Sequence, residues 1–506
     1  MVRNILSAIV FLPLLGAALV LLISREDKRI HRYVALLISL ITFVLSCLLV
    51  ANFDHTAAGV QFAENYEWIT SLKISYSLGV DGLNVAFIPL TALLFLLCIV
   101  ASWDRVAGLK GYFALFLILE TAVLGTFAAQ DLFLLFAFWS AALLPIYFMV
   151  GVWGNKNREY AATKFFLYQL AGSAFLLLGM LAIYYIAEPH SFSLLDLSGG
   201  KFTSARIDIG GRSLGVEHLV FILMLAGFAV RLPVVPLHSW FPHLQAEAPP
   251  VLAVVLAAIF IKTGAYAIVR VNYALFPEAA NWFAPVLAVA GAVNIIYGGI
   301  CALGQKDIRR LVAYSCVSHM GFVLLGLGIF SSTAFHGAFL QMVSHGVYTG
   351  LLFFLVGILG ARSGQYDIMN PDGSVGFGGL VSKAPLLTGF FTVAVFSTLG
   401  VPGLGAFPSE SLVFLGAFPY HRLLTVIGLG GVFLTAGYLL WMYRRVFLGK
   451  VGEGAGQITD VTLREQVFLV PLVLLCVFAG TYPTPLINLA QPTINQVLTS
   501  LNKEAK

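Results

Sequence analysis

The chain has 506 residues, of which 59% are hydrophobic and only 10% charged, with a formal charge of +5. Soluble globular proteins carry about 25% charged residues, so this composition excludes that class and describes an integral membrane protein. The few basic residues are scattered over short loops, which excludes a nucleic-acid-binding surface.

In chain order, uncharged runs recur at 5–24, 33–53, 165–187 and 279–305, each reaching the ~20 residues that a membrane-crossing helix needs. Helices are the expected element, because backbone groups in lipid must pair within their own segment. About fourteen spans are predicted, centred near residues 14, 43, 92, 119, 143, 176, 226, 260, 291, 320, 346, 395, 433 and 475. Met1 to Asn4 hold one arginine, and no small-residue cleavage site is followed by a soluble domain, so the first run reads as a retained span. The uncharged stretch 311–361 exceeds one span, and Ser331-Ser332-Thr333 predicts a tight turn within it. The longest connections, 54–77 and 189–216, are too short for an additional catalytic domain. The whole of 1–506 therefore reads as one polytopic, all-α membrane domain.

Sorting lysine and arginine by alternate loops places 18 of 29 on one face, among them Arg25, Lys28, Arg105, Lys156 and Arg309. Nine fall on the other face, among them Arg3, Lys73, Arg206, Arg270 and Lys506, while Arg231 and Lys262 lie inside spans. The positive-inside rule makes the first face cytoplasmic and puts both termini on the periplasmic side of a bacterial inner membrane. Cys47, Cys98, Cys301, Cys316 and Cys476 lie in apolar runs without CxxC spacing, which predicts neither a disulfide framework nor a metal site.

A charge at the bilayer centre costs at least ~2.5–3.5 kcal/mol, so such residues are few and usually functional. Here they are Glu120, Arg231, Lys262 and Glu410, joined by His319 and His345. Lys262 stands out, with eleven uncharged residues before it and seven after. Plainer readings exist for the others: Arg231 as an interfacial cation that snorkels, Glu410 as an interfacial cap, Glu120 as half of a structural pair, and each histidine as the partner of a nearby carbonyl. Two spans also carry helix breakers. Pro233 and Pro236 follow Arg231, and Gly400, Pro402, Gly403 and Gly405 precede Glu410. Paired broken helices of this kind point to an ion pathway. No HExxH, Walker A, GxGxxG-after-strand or GxSxG signature is present.

The segments RLPVVPLHSWFPHLQAEAPP, KTGAYAIVR, GQKDIRRLVAYSCVSHMGF, QMVSHGVYTGLLFFLVG and GVPGLGAFPSE, with GVDGLN upstream, resemble the antiporter-like subunits of respiratory complex I, of the subunit M or chain 4 type. About twenty residues follow the last apolar run, which favours that type over the L type with its long lateral helix. The resemblance implies fourteen transmembrane helices with two inverted five-helix repeats, spans 4–8 (111–274) and 9–13 (282–448), in which spans 7 and 12 are discontinuous. It implies proton translocation driven by redox chemistry elsewhere, as a subunit of an NADH:quinone oxidoreductase. No cofactor is then expected in this chain. NADH, FMN, iron–sulfur clusters and quinone belong to partner subunits, and L-type and N-type subunits and the lipid bilayer are its neighbours.

Carried over residue by residue, Lys262 matches the family's central lysine, His319 and His345 its polar links, and Glu410 the glutamate of the second broken helix. Arg231 stands where the family has a lysine, and Ser140, in FAFWSAALLPIY, where it has that lysine's glutamate partner. Moving one charge against ~180 mV costs about 4 kcal/mol, equivalent to a roughly thousandfold change in a carrier's proton affinity. Lys262 can supply that change. Arginine keeps its proton in proteins, so Arg231 acts only as a fixed charge. Glu120 is then the expected replacement partner for Arg231. Two further readings stay open: a non-pumping structural subunit, favoured by Ser140 and Arg231, and a subunit of a related cation antiporter or membrane-bound hydrogenase.

Overall fold

The computed structural model describes residues 4–24, 26–103, 109–199, 201–202, 206–209, 212–369, 376–451 and 458–504. Arg3, Arg25, Arg105 and Lys506, used above to assign the faces, lie outside the described residues. The apolar runs have become helices, as the need to pair backbone groups in lipid requires.

Helices α1 (Ile5–Leu22) and α2 (Lys28–Ala51) lead into a hairpin of β1 (Gln61–Ile69) and β2 (Ile74–Val80). Next come α3 (Phe87–Ala101), α4 (Leu109–Ala128), α5 (Leu132–Ala141) and α6 (Leu143–Trp153), the last two forming one span capped by the Asp131 carboxylate on Phe133 and Leu134 N–H. Helix α7 (Arg158–Ile186) is followed by β3 (Ala187–Glu188), α8 (Leu194–Gly199), β4 (Lys201–Phe202), β5 (Arg206–Ile209) and β6 (Arg212–Gly215). The fold is thus helical in the membrane, with small antiparallel hairpins in the two connections that the sequence marks as long loops.

Helix α9 (Val216–Arg231) stops at the arginine, and α10 (Trp240–Glu247) resumes beyond the prolines. The next span, Pro250–Tyr273, contains α11 (Pro250–Val255) and α12 (Lys262–Ala267), with π-helical turns at Leu256–Phe260 and Ile268–Tyr273. Then follow α13 (Pro277–Leu303), α14 (Ile308–Leu327) and α15 (Ser332–Ser363), the last two joined through Ser331, whose hydroxyl caps Ala334 N–H at the expected turn. The chain ends through α16 (Leu380–Lys383), α17 (Pro385–Thr398), α18 (Ala406–Ala417), α19 (Arg422–Phe447), α20 (Leu463–Thr481) and α21 (Thr484–Glu504).

Among the described residues, eleven helices are long and apolar enough to cross a membrane, and all fourteen expected centres fall within helical segments. Both broken helices appear where proline and glycine predict them, between α9 and α10 and between α17 and α18. The central windows of Pro250–Tyr273 and α15 are wholly buried, whereas only a third of the residues in those of α2, α19 and α20 are, as befits a lipid-facing rim. The helices bearing Lys262 and His345 therefore form the centre of the molecule.

Candidate functional site: a buried polar axis

Lys262 opens α12 directly after a π-helical turn, a feature that recurs at functional sites in helices. Its ammonium is wholly buried, donates to the Ala257 carbonyl, and lies 2.7 Å from His345 Nδ1. His345, on α15, has Thr349 Oγ1 3.3 Å from either ring nitrogen. The His319 ring, on α14, is centred 5.6 Å from the His345 ring. Its Nδ1 lies 3.1 Å from Glu410 Oε1, within ion-pair reach, while its Nε2 is buried without a hydrogen-bond partner. Lys262, His345, His319 and Glu410 thus form one line between the two broken helices.

Uncharged groups hold that line in place. Gln341 Nε2 lies 3.3 Å from His319 Nδ1 and donates to Tyr348 OH at 3.1 Å, while its carbonyl accepts from Ser409 at 2.5 Å. Gln341, His345 and Thr349 are spaced i, i+4, i+8 and so share one face of α15. That spacing was available in the sequence, but an amide in an apolar run carries no charge to draw attention to it. Gly400 adopts φ +71°, a left-handed conformation suited to glycine. A Cβ there would sit 3.2 Å from Glu410 Oε2, so the glycine both turns the chain and leaves room for the carboxylate.

The first broken helix is organised differently. Arg231 is buried, with its guanidinium carbon 3.4 Å from the Trp139 ring centroid and 4.4 Å from that of Phe260. It donates to Gln169 Oε1 at 3.2 Å and to the Trp139 carbonyl at 2.9 Å. The expected Glu120–Arg231 pair is absent. Glu120, fully buried on α4, accepts instead from Ser39 of α2 at 2.9 Å, and among the described residues no carboxylate lies within ion-pair reach of Arg231. The physical reason is geometric: α4 packs on α1 and α2 and turns Glu120 towards them, whereas α9 packs on α7. Ser140 follows Trp139, and its hydroxyl is buried without a partner.

Two polar features had no local signal. Asn294, on α13, bridges the first break, accepting from Val235 N–H at 2.8 Å and donating to the Pro233 and Val317 carbonyls at 3.3 and 3.4 Å. Asp81, from the GVDGLN segment, meets Arg270 at 2.6 Å, and Arg270 Nε also donates to Tyr266 OH at 3.0 Å. This pair ties the C-terminal end of the lysine-bearing span to the segment before α3 across 189 positions of sequence.

Residues 129–435 match the family model described as NADH:quinone oxidoreductase/Mrp antiporter, transmembrane. The chain belongs to this family. A curated relative, NADH-quinone oxidoreductase subunit M of Rhodobacter capsulatus, is 37% identical, with 97% of this chain and 96% of the relative covered. Among solved structures, a chain of respiratory complex I from Thermus thermophilus with bound NADH superposes with a TM-score of 0.86 at 28% identity, covering 98% of this chain and 99% of the other. A chain of the Mrp complex from Dietzia sp. shares the fold, with a TM-score of 0.83 at 18% identity and coverage of 98% and 99%. The family's antiporter-like membrane fold is therefore the architecture that carries the polar axis.

Proposed function

We propose that this chain is a proton-translocating membrane-arm subunit of an NADH:quinone oxidoreductase-type complex, and that protons move along Lys262, His345, His319 and Glu410. The observation that carries this reading is the buried polar line, with steps of 2.7 Å, 5.6 Å between rings, and 3.1 Å. The names of its full-length relatives support it.

The orientation of the rings supplies a mechanism. Charged Lys262 donates to the His345 Nδ1 lone pair, so the imidazole begins neutral. Transfer of that proton to Nδ1 lets His345 release one from Nε2, because an imidazole accepts at one nitrogen and gives at the other. His319 is arranged in the reverse sense. Its Nε2 faces no protein partner, and its Nδ1 lies 3.1 Å from Glu410 Oε1 and 3.3 Å from the Gln341 amide nitrogen, so a proton received at Nε2 passes from Nδ1 to the carboxylate once that amide swings aside. One bridging water joins the two rings across their separation. Glu410, on the broken helix, then hands the proton to the water that open backbone groups admit. Arg231 serves as a fixed charge, and Glu120, held by Ser39, stands outside the line.

With this reading go fourteen spans, inverted repeats at 111–274 and 282–448, a cytoplasmic face on the more basic loops and periplasmic termini. NADH, FMN, iron–sulfur clusters and quinone are then held by other subunits, and L-type and N-type subunits flank this one. A non-pumping scaffold is less well supported, since a scaffold has no need to bury four ionisable groups in line.

The test is Glu410→Gln, which keeps the shape and removes the acceptor. Positioned proton transfer by a side chain contributes about 10²–10⁴-fold, so proton uptake into inverted vesicles through this route slows by at least about 100-fold in assembled complex. Wild-type uptake per electron in that variant would remove Glu410 from the path.

A further inference from the structure

Two groups compete for one atom near the end of the buried line. His319 Nδ1 lies 3.1 Å from Glu410 Oε1 and 3.3 Å from Gln341 Nε2. A ring nitrogen either accepts an amide N–H through its lone pair or donates its own N–H to a carboxylate, so the two contacts belong to opposite proton states of Nδ1. Despite its closeness, Glu410 Oε1 has no hydrogen-bond partner among the described residues. The amide therefore holds the nitrogen in this structure. Gln341 is fully buried, and its other bonds run to Tyr348 OH and Ser409 Oγ.

These partners suit the amide in two orientations. In the first, Nε2 gives its hydrogens to Tyr348 OH and the Nδ1 lone pair, and Ser409 donates to the amide oxygen. In the second, the amide is turned end for end. Ser409 then donates to the Ala406 carbonyl, 2.9 Å away, and accepts an amide hydrogen, while the amide oxygen accepts from Tyr348 OH and from a protonated Nδ1. Each of the three partners both donates and accepts, so all three contacts survive the turn. We propose that Gln341 is a positioning residue that checks back-transfer from Glu410. It presents its oxygen while Nδ1 carries a proton. The Nδ1–H bond then breaks as the Glu410 O–H bond forms, which leaves His319 neutral with its proton on Nε2. The amide turns its N–H onto the vacated lone pair, and the proton on Glu410 finds the return step closed.

This inference rests on the reading that protons pass from His319 to Glu410, and its test is the backward flow. Inverted vesicles holding the assembled complex are energised with donor to a steady gradient, the donor is exhausted, and decay of the gradient through the complex is followed. Gln341→Met keeps the length of the side chain and removes the amide. It speeds the decay about tenfold, a ratio that corresponds to about 1.4 kcal/mol, the size of one buried hydrogen bond. Adding Glu410→Gln to that variant restores the wild-type rate, which a general loosening of the helices would not allow. Ser409→Ala, a smaller change that unseats the amide, speeds the decay in the same sense and serves where Gln341→Met fails to assemble. Decay at the wild-type rate in assembled Gln341→Met, or in Ser409→Ala where that variant does not assemble, overturns the inference. Fast decay that persists in the double variant overturns it too. Failure of the proton route itself reads differently, as wild-type uptake per electron in Glu410→Gln alone.

Discussion

Lys262 and Arg231 are both cations buried in the membrane, and their chemistry separates their roles. The ammonium is a compact point charge that can release its proton, and it sits against an imidazole nitrogen. The guanidinium cannot release its proton, and it lies over two aromatic rings with no acid in ion-pair reach among the described residues. Charge in an apolar run is costly, so Lys262, Glu410 and the two histidines could be picked out of the sequence. Asn294 could not, because an amide in a span draws no such penalty until its partners are known. Asn294→Ala leaves backbone groups of the first break unmatched, at about 1–3 kcal/mol for each buried one. The expected outcome is a lower thermal midpoint for the purified complex, and an unchanged midpoint would mean that water replaces the amide.

At the scale of elements, the breaks were legible because proline removes a donor and glycine admits left-handed backbone. The π-helical turns around Lys262 were not, since neither AVVLAAIFIK nor IVRVNY holds a proline or glycine to mark a change of helical pitch. The hairpins in the long connections were missed because β1 is mostly exposed and so lacks a regular buried face, while β3 to β6 are only two to four residues long. The Asp81–Arg270 bridge fixes the C-terminal end of the lysine-bearing span, with side chains 3% and 11% exposed. Removing one member of a buried pair typically costs about 3–5 kcal/mol, because the other charge is left uncompensated. Arg270→Ala and Asp81→Ala therefore each weaken assembly by that order, while the double variant recovers part of the loss. Additive losses in the assembled fraction on native gels would show that the two residues act separately.

At the scale of the whole molecule, helices are sorted by exposure. Buried helices at the centre carry the ionisable line, and lipid-facing helices at the rim carry apolar surface such as Leu22, Phe433 and Leu474. Pairing of distant segments could be inferred from family resemblance but not from the residues, which is why Glu120 was expected beside Arg231 and is found against Ser39. Sidedness rests on basic loops, and exposed Lys156 and Ser71 fall on opposite faces by that sorting. A membrane-impermeant maleimide is expected to label Lys156→Cys from the cytoplasmic side alone and Ser71→Cys from the other side alone. Labelling of both from one side would contradict the proposed topology.

The central claim is that the buried line moves protons, and Lys262 is its first member. Lys262→Ala, in complex shown to be assembled, is measured for donor-driven proton uptake in inverted membrane vesicles together with the rate of electron transfer. The account predicts a fall in protons taken up per electron. A wild-type ratio at a wild-type electron-transfer rate would contradict it, and the fold would then be serving this complex as a scaffold.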